Sequence, residues 1–102
     1  MSRALLDPVA LHARADWLQG RLDALPARYV MGEGRDAFDA RTRAHDAAVD
    51  LLRADILALP DAPRCYDDHS GARLTMLDIR CTSTAGMIGV CHNWIARARA
   101  AN

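Results

Sequence analysis

The sequence predicts an all-α fold, a small bundle of three to four helices forming a single helical domain over residues 1–102. Three observations carry that reading. An N-terminal stretch has helical spacing between Asp7-Pro8 and Pro26, a longer apolar stripe runs from Arg35 to Leu59, and a third apolar face runs from about Ala85 to Ala100. At 102 residues the chain is the usual size of one domain. Apolar residues make up 51% of it, but 20 of them are alanine, so the area available for burial is modest.

Asp7 reads as an N-cap and Pro8 as the first helical residue of a helix running to about Leu25. Leu11, Trp17 or Leu18, Leu22 and Leu25 return at intervals of three and four, and Pro26 ends the element. Arg14, Arg21 and Arg28 recur every seven residues and give this helix a basic edge. A connector follows, in which Gly32-Glu33-Gly34 is flexible and Tyr29, Val30 and Met31 are expected to fold back onto the core.

The second helix, from about Arg35 to Leu59, carries Phe38, Thr42, His45, Val49, Leu52, Ile56 and Leu59 in alternating steps of four and three, with Ala48 and Leu51 widening the stripe. Such a seam suits a bundle helix or a short coiled coil, and predicts pairing with a second copy as a homodimer. On its polar side, Arg35 with Asp39 and Asp39 with Arg43 are i,i+4 pairs.

Residues Pro60 to Gly71 form a linker rich in proline and aspartate. The segment from Ala72 to Cys81 is the hardest to read, because Leu74, Met76, Leu77 and Ile79 fall on both faces of a strand and on two opposite sides of a helix. A helix opened by Ser70 is the expectation. The alternative is an α+β fold with a β-hairpin at about 64–80, Arg64–Asp68 pairing across His69-Ser70-Gly71. Thr82-Ser83-Thr84 then supplies an N-cap for the last helix, whose apolar side is Met87, Val90 or Cys91, Trp94 or Ile95, and Ala98. Gly86 and Gly89, three apart, permit close backbone approach.

Composition narrows the function classes. Formal net charge is zero, which argues against a general nucleic-acid binder. No apolar run approaches the ~20 residues that span a bilayer, and Met1 to Asp7 holds no signal-peptide core, so a cytoplasmic protein with no membrane association is expected. Three cysteines, an odd number, do not form a disulfide framework and fit a reducing compartment. All 13 basic residues are arginine and 12 of the 13 acids are aspartate, a bias expected from GC-rich coding. Its physical consequence is a surface of planar, bidentate donors suited to carboxylates and phosphates.

Five constellations compete for a role. The turn Cys81-Thr82-Ser83-Thr84-Ala85-Gly86 leads into a helix and could cradle an anion through Thr82, Ser83, Thr84 and Gly86. It lacks the arginine of a cysteine-phosphatase loop, Met87 standing there, and the chain has no lysine for a phosphate-binding P-loop. Cys65, His69, Cys81, Cys91 and His92 contain ligand types for zinc, but no CxxC pair. Thiol catalysis by Cys91 would need a distant base such as His12 or His45, since neighbours on a helix point about 100° apart. Nucleic-acid contacts would draw on Trp94, Arg97 and Arg99 with Arg41 and Arg43. Protein binding is favoured: Trp94 beside Arg97 and Arg99 in the last helix, with the basic edge of Arg14 and Arg21, offers the residue types most enriched at binding hot spots.

In size and composition the chain resembles small accessory proteins of phages and mobile elements in GC-rich bacteria, some of which bind and inhibit host defence systems. The resemblance implies an inhibitor or adaptor and transfers no residues. The sequence thus predicts a protein-binding module with another protein as partner, no catalytic residue, no cofactor and no metal. The alternatives are a small nucleic-acid-binding protein or a phosphate-binding domain using residues 81–86.

Overall fold

In the computed structural model, which describes residues 7–27, 31–32 and 34–101, the chain is α+β. The order is α1 (Pro8–Asp23), α2 (Arg35–Leu57), β1 (Arg64–Asp68), β2 (Gly71–Met76), β3 (Ile79–Ser83) and α3 (Gly86–Arg99). The all-α expectation is therefore corrected. Residues 72–81 form no helix; they belong to a three-stranded antiparallel sheet in the order β1-β2-β3.

The three helices arise where local signals are strong. Asp7 caps α1, its Oδ1 accepting the Val9 N–H at 3.0 Å, with Pro8 in the first turn. Leu11, Ala15, Leu18 and Leu22 form the buried stripe of α1. In α2, His45, Leu52 and Ile56 are buried, with Val49 and Leu59 packed against the core. Leu51 is 61% exposed and does not widen the stripe, because its position turns it away from Leu52 and Ile56. Of the seam on which a homodimer was expected, His45, Leu52 and Ile56 are buried within the chain, whereas Phe38 at its N-terminal end is 38% exposed. Neither i,i+4 pair of Asp39 closes as an ion pair among the described residues.

The sheet resolves the segment that defied both periodicities. Ala72, Leu74 and Met76 of β2 are buried, whereas Arg73 is exposed and Thr75 half-buried. The alternation breaks at Leu77-Asp78 because those two residues form a turn, with φ of 49° and 61°. Inward phase restarts at Ile79 and Cys81, which face Met76 and Leu74 in the register. Two central residues with positive φ define a type I′ turn, whose usual sequence is Asn-Gly or Asp-Gly. Leu-Asp satisfies the geometry without carrying the signal. The other turn, His69-Ser70, joins β1 to β2 with Asp68 opposite Gly71. Gly71 has φ 138°, and a Cβ there would lie 2.7 Å from the Ser83 carbonyl oxygen of the neighbouring strand.

Helix α3 lies on the inner face of the sheet, and α1 packs along α3. Sandwiched between two layers, α3 buries Met87, Val90, Cys91, Trp94, Ile95 and Ala98. The indole Nε1 of Trp94 donates to the Met76 carbonyl at 3.0 Å, so the largest core side chain also satisfies the end of β2. Gly89 permits close approach within the chain rather than between chains: a Cβ there would meet Ser83 Oγ at 2.6 Å. The expected Thr82-Ser83-Thr84 cap is also corrected. Thr82 and Ser83 complete β3, and α3 has no side-chain cap; Ser83 Oγ instead accepts the Ala85 N–H at 2.9 Å in the intervening turn. Met31 does not fold back onto the core but is 85% exposed. Tyr29 and Val30 lie outside the described residues.

Candidate functional site

The residues expected to bind a partner do not share one surface. Arg14 grips Asp61 with two hydrogen bonds, of 2.8 and 3.3 Å, tying α1 to the segment before β1. Partial burial works against ionisation of Asp61, but the bonds and charge of Arg14, helped by the Leu77 N–H, hold its carboxyl below the usual carboxylate range. Arg21 pairs with Asp55 at 2.7 Å, its guanidinium 5.6 Å from the centre of the Trp17 ring. Arg99 reaches Asp16 at 3.2 Å. Trp94 is 0% exposed, so no indole face is offered to a partner. These side chains connect helices to one another and to loops. Arg28 lies outside the described residues.

Arg97 has a different task. Its Nη1 donates to the Arg80 carbonyl at 2.9 Å, while Asn93, one turn earlier, donates from Nδ2 to the Thr82 carbonyl at 3.0 Å. Carbonyls alternate in direction along an antiparallel strand, so those of Arg80 and Thr82 face the open edge of β3. Two side chains of α3 thereby cover an edge that would otherwise invite another strand.

The sheet's outer face remains. Residues two apart on a strand share a face, which gathers Arg64, Tyr66 and Asp68 of β1, Arg73 and Thr75 of β2, and Arg80 and Thr82 of β3. The register sets Arg64 opposite Thr75 and Thr75 opposite Arg80, and sets Tyr66 opposite Arg73 and Arg73 opposite Thr82. Arg64, Arg73 and Arg80 are exposed, and none of them makes an ion pair with any described residue.

Tyr66 stands among them, 58% exposed, its hydroxyl donating to Asp68 Oδ2 at 2.7 Å. Asp68 also accepts the Ser70 hydroxyl at 2.6 Å and the Ser70 N–H at 2.8 Å. Those donors, the Ser70 hydroxyl first, lower the Asp68 pKa to about 2, and the carboxylate in turn raises that of the tyrosine. The acid on this face is thus a brace for the β1–β2 turn, with its oxygens already engaged.

The turn expected to bind anions borders this face. Thr82, Ser83 and Thr84 line a cleft of about 550 Å³ together with Tyr66, Arg73 and Asn93. Gly86 has φ 84° at the start of α3 and lies outside that lining. A second depression, of about 530 Å³, is lined by Arg64, Tyr66, Arg73, Thr75 and Arg80, so Tyr66 and Arg73 are common to both. Sequence reading missed Arg64, Tyr66, Arg73 and Arg80. Their signal is the i,i+2 spacing of Arg64 with Tyr66 and of Arg80 with Thr82, which acquires meaning once the strands are paired.

The remaining candidates separate. The Cys65 thiol lies 3.3 Å from the Met87 sulfur, and burial pushes the Cys65 and Cys81 thiols up and that of Cys91 up to about 12. A thiol held protonated is a poor nucleophile. His12 Nε2 lies 2.9 Å from the Ala101 carbonyl, and His45 Nδ1 lies 2.8 Å from that of Pro26, so both rings have structural partners. Among the described residues no three histidines, cysteines or acids are grouped to hold a metal ion, and no helix is long and apolar enough to cross a membrane. Comparison with protein-family models, curated proteins and solved structures yields no match.

Proposed function

We propose that the protein is a non-catalytic binding module and that an anionic macromolecule docks on the outer face of its sheet. One observation carries this reading: Arg64, Arg73 and Arg80 converge on one exposed face with no acidic partner among the described residues, whereas Arg14, Arg21, Arg53 and Arg99 each hold an aspartate. Guanidinium groups recognise carboxylates and phosphates through paired donors, and a surface that leaves three of them unpaired is complementary to negative charge. Burial that holds the three thiols protonated argues against thiol catalysis. An adaptor or inhibitor, the class inferred from size and composition, would use such a face.

Retention on a heparin column tests the reading. The wild type should be retained and should elute with added salt. The triple variant Arg64→Ala/Arg73→Ala/Arg80→Ala should pass through while remaining folded by circular dichroism. A control variant, Arg35→Ala/Arg43→Ala, removes two exposed arginines of α2 and should be retained like the wild type. Flow-through of the wild type, or equal loss in the control, would refute a dedicated face.

A further inference from the structure

We infer that the anionic partner is a single-stranded nucleic acid, with one base stacked on Tyr66 and the backbone crossing Arg64, Arg73 and Arg80. The inference rests on the reading of this face as an anion-binding surface and adds the chemistry of what binds.

The first ground is the aromatic ring. An acidic peptide would use the three guanidinium groups but gains little from an exposed ring. Tyr66 lies beside Arg64 on β1 and directly opposite Arg73, with its hydroxyl fixed by Asp68. An exposed ring with arginines on two sides and a carboxylate only at its hydroxyl is a platform for the π-face of a base, and arginine planes stack on bases as well.

The second ground is the adjoining cleft. Tyr66 and Arg73 form part of its lining, together with Ser70, Ser83, Thr84 and Asn93. Its size, about 550 Å³, is sufficient for a nucleotide. Ser70, Ser83 and Asn93 are engaged within the fold, but the Thr82 and Thr84 hydroxyls in the same lining make no hydrogen bond with a described residue, and hydroxyls hydrogen-bond sugar and base edges. A carboxylate of an acidic peptide would find there one arginine and no further cation.

The third ground is dimension. Directly opposed residues on neighbouring strands lie roughly 5 Å apart and diagonal ones about 7–8 Å. Arg73 and Arg80 are diagonal neighbours across β2 and β3. Three strands of five or six residues give a platform for two or three nucleotides. A duplex keeps its bases paired and stacked inside and offers Tyr66 no free base face, whereas a single strand does. The chain's formal net charge is zero and Asp68 shares this face, so attraction here comes from the local field of these three cations. Single-strand binding should then weaken with salt with a log–log slope of about −2, from three contacts at about 0.7 each.

Fluorescence anisotropy on the full chain tests the inference with four labelled probes: mixed-sequence ten-nucleotide single strands of DNA and of RNA, the DNA duplex of the same sequence, and a ten-residue polyglutamate peptide. Either single strand should bind at least tenfold more tightly than the duplex and the peptide, and the better of the two identifies the sugar. Tyr66→Ala should weaken single-strand binding about tenfold with the salt slope unchanged, whereas Tyr66→Phe, which keeps the ring, should stay within about twofold of the wild type. Arg73→Ala should lower the slope by about 0.7. Tighter binding of the peptide, equal binding of the duplex, or indifference to Tyr66→Ala would overturn the single-strand inference while leaving an anion-binding face intact. Failure of all four probes to bind would overturn both.

Discussion

Four arginines of the helices and three of the sheet have opposite surroundings, although the sequence scatters both kinds evenly. Arg14, Arg21 and Arg99 each meet an aspartate from another part of the fold, and Arg53 of α2 bridges Asp50 and Asp67. Arg64, Arg73 and Arg80 meet none among the described residues. The two large aromatics of the sheet region divide the same way: Trp94 is fully buried beneath the sheet, and Tyr66 is 58% exposed above it. Polar and aromatic groups on the inner side hold elements together, and the same types on the outer side are left to solvent. That asymmetry separates residues serving the fold from residues available to a partner.

The comparison breaks most sharply at Trp94. Trp94→Ala should cost about 3–5 kcal/mol, through the cavity it leaves and the Met76 carbonyl it strands. A domain of this size has little more than that in reserve, so chemical denaturation should find the variant largely unfolded. Retention of a cooperative transition near that of the wild type would show that the indole is not the core plug described above.

A smaller loss tests the base of the outer face. Gly71→Ala forces φ 138° on a residue with a Cβ and drives that Cβ against the Ser83 carbonyl. The cost should be roughly 2–3 kcal/mol, seen as a fall in melting temperature of about 10 °C or more, since 1 kcal/mol shifts a domain of this size by about 4–8 °C. Binding at temperatures where the variant is folded should also weaken, because Gly71 and Ser83 both border the cleft.

Arg14→Ala removes a cross-element clamp and should destabilise by about 1 kcal/mol, discounted for the partial exposure of the pair. The effect has a pH signature. Asp61 is held below its ordinary value of 3.8 in the folded state, so the pairing contributes stability above about pH 4 and is lost as pH falls through the lower folded value. The gap in melting temperature between wild type and variant should therefore narrow below about pH 4. A gap that is constant with pH would show that the clamp is not electrostatic.

The smallest expected effect on stability is at Arg73. With no ion pair among the described residues to break, Arg73→Ala should change stability by less than about 0.5 kcal/mol, while it shifts polyanion retention measurably. A loss as large as that of Arg14→Ala would erase the distinction between the two sets of arginines.

Local order accounts for what was legible. The Asp7 cap, Pro8, the Leu11–Leu22 stripe and the α2 seam state their helices within a few residues, because hydrogen bonds to i−4 and side chains at i+3 and i+4 are near in sequence. The β1–β2 hairpin was visible as the alternative reading, through the turn at His69-Ser70. The second turn was not, because Leu77-Asp78 adopts positive φ without the glycine or asparagine that normally announces it. Without that break, Leu74, Met76, Leu77 and Ile79 have no consistent phase.

The sequence by itself determined the three helices that form and a neutral charge made almost wholly of arginine and aspartate, and it put Trp94 both on the apolar side of the last helix and at a binding site. Tertiary structure alone decided which side that tryptophan occupies and which arginines are engaged. The reason is distance along the chain. Arg14 and Asp61 are 47 residues apart and Arg99 and Asp16 are 83 apart, so no window of sequence contains both partners. The outer face of Arg64, Tyr66, Arg73 and Arg80 likewise exists only after three strands pair in one register, which sets these residues side by side and leaves their charge without a partner among the described residues.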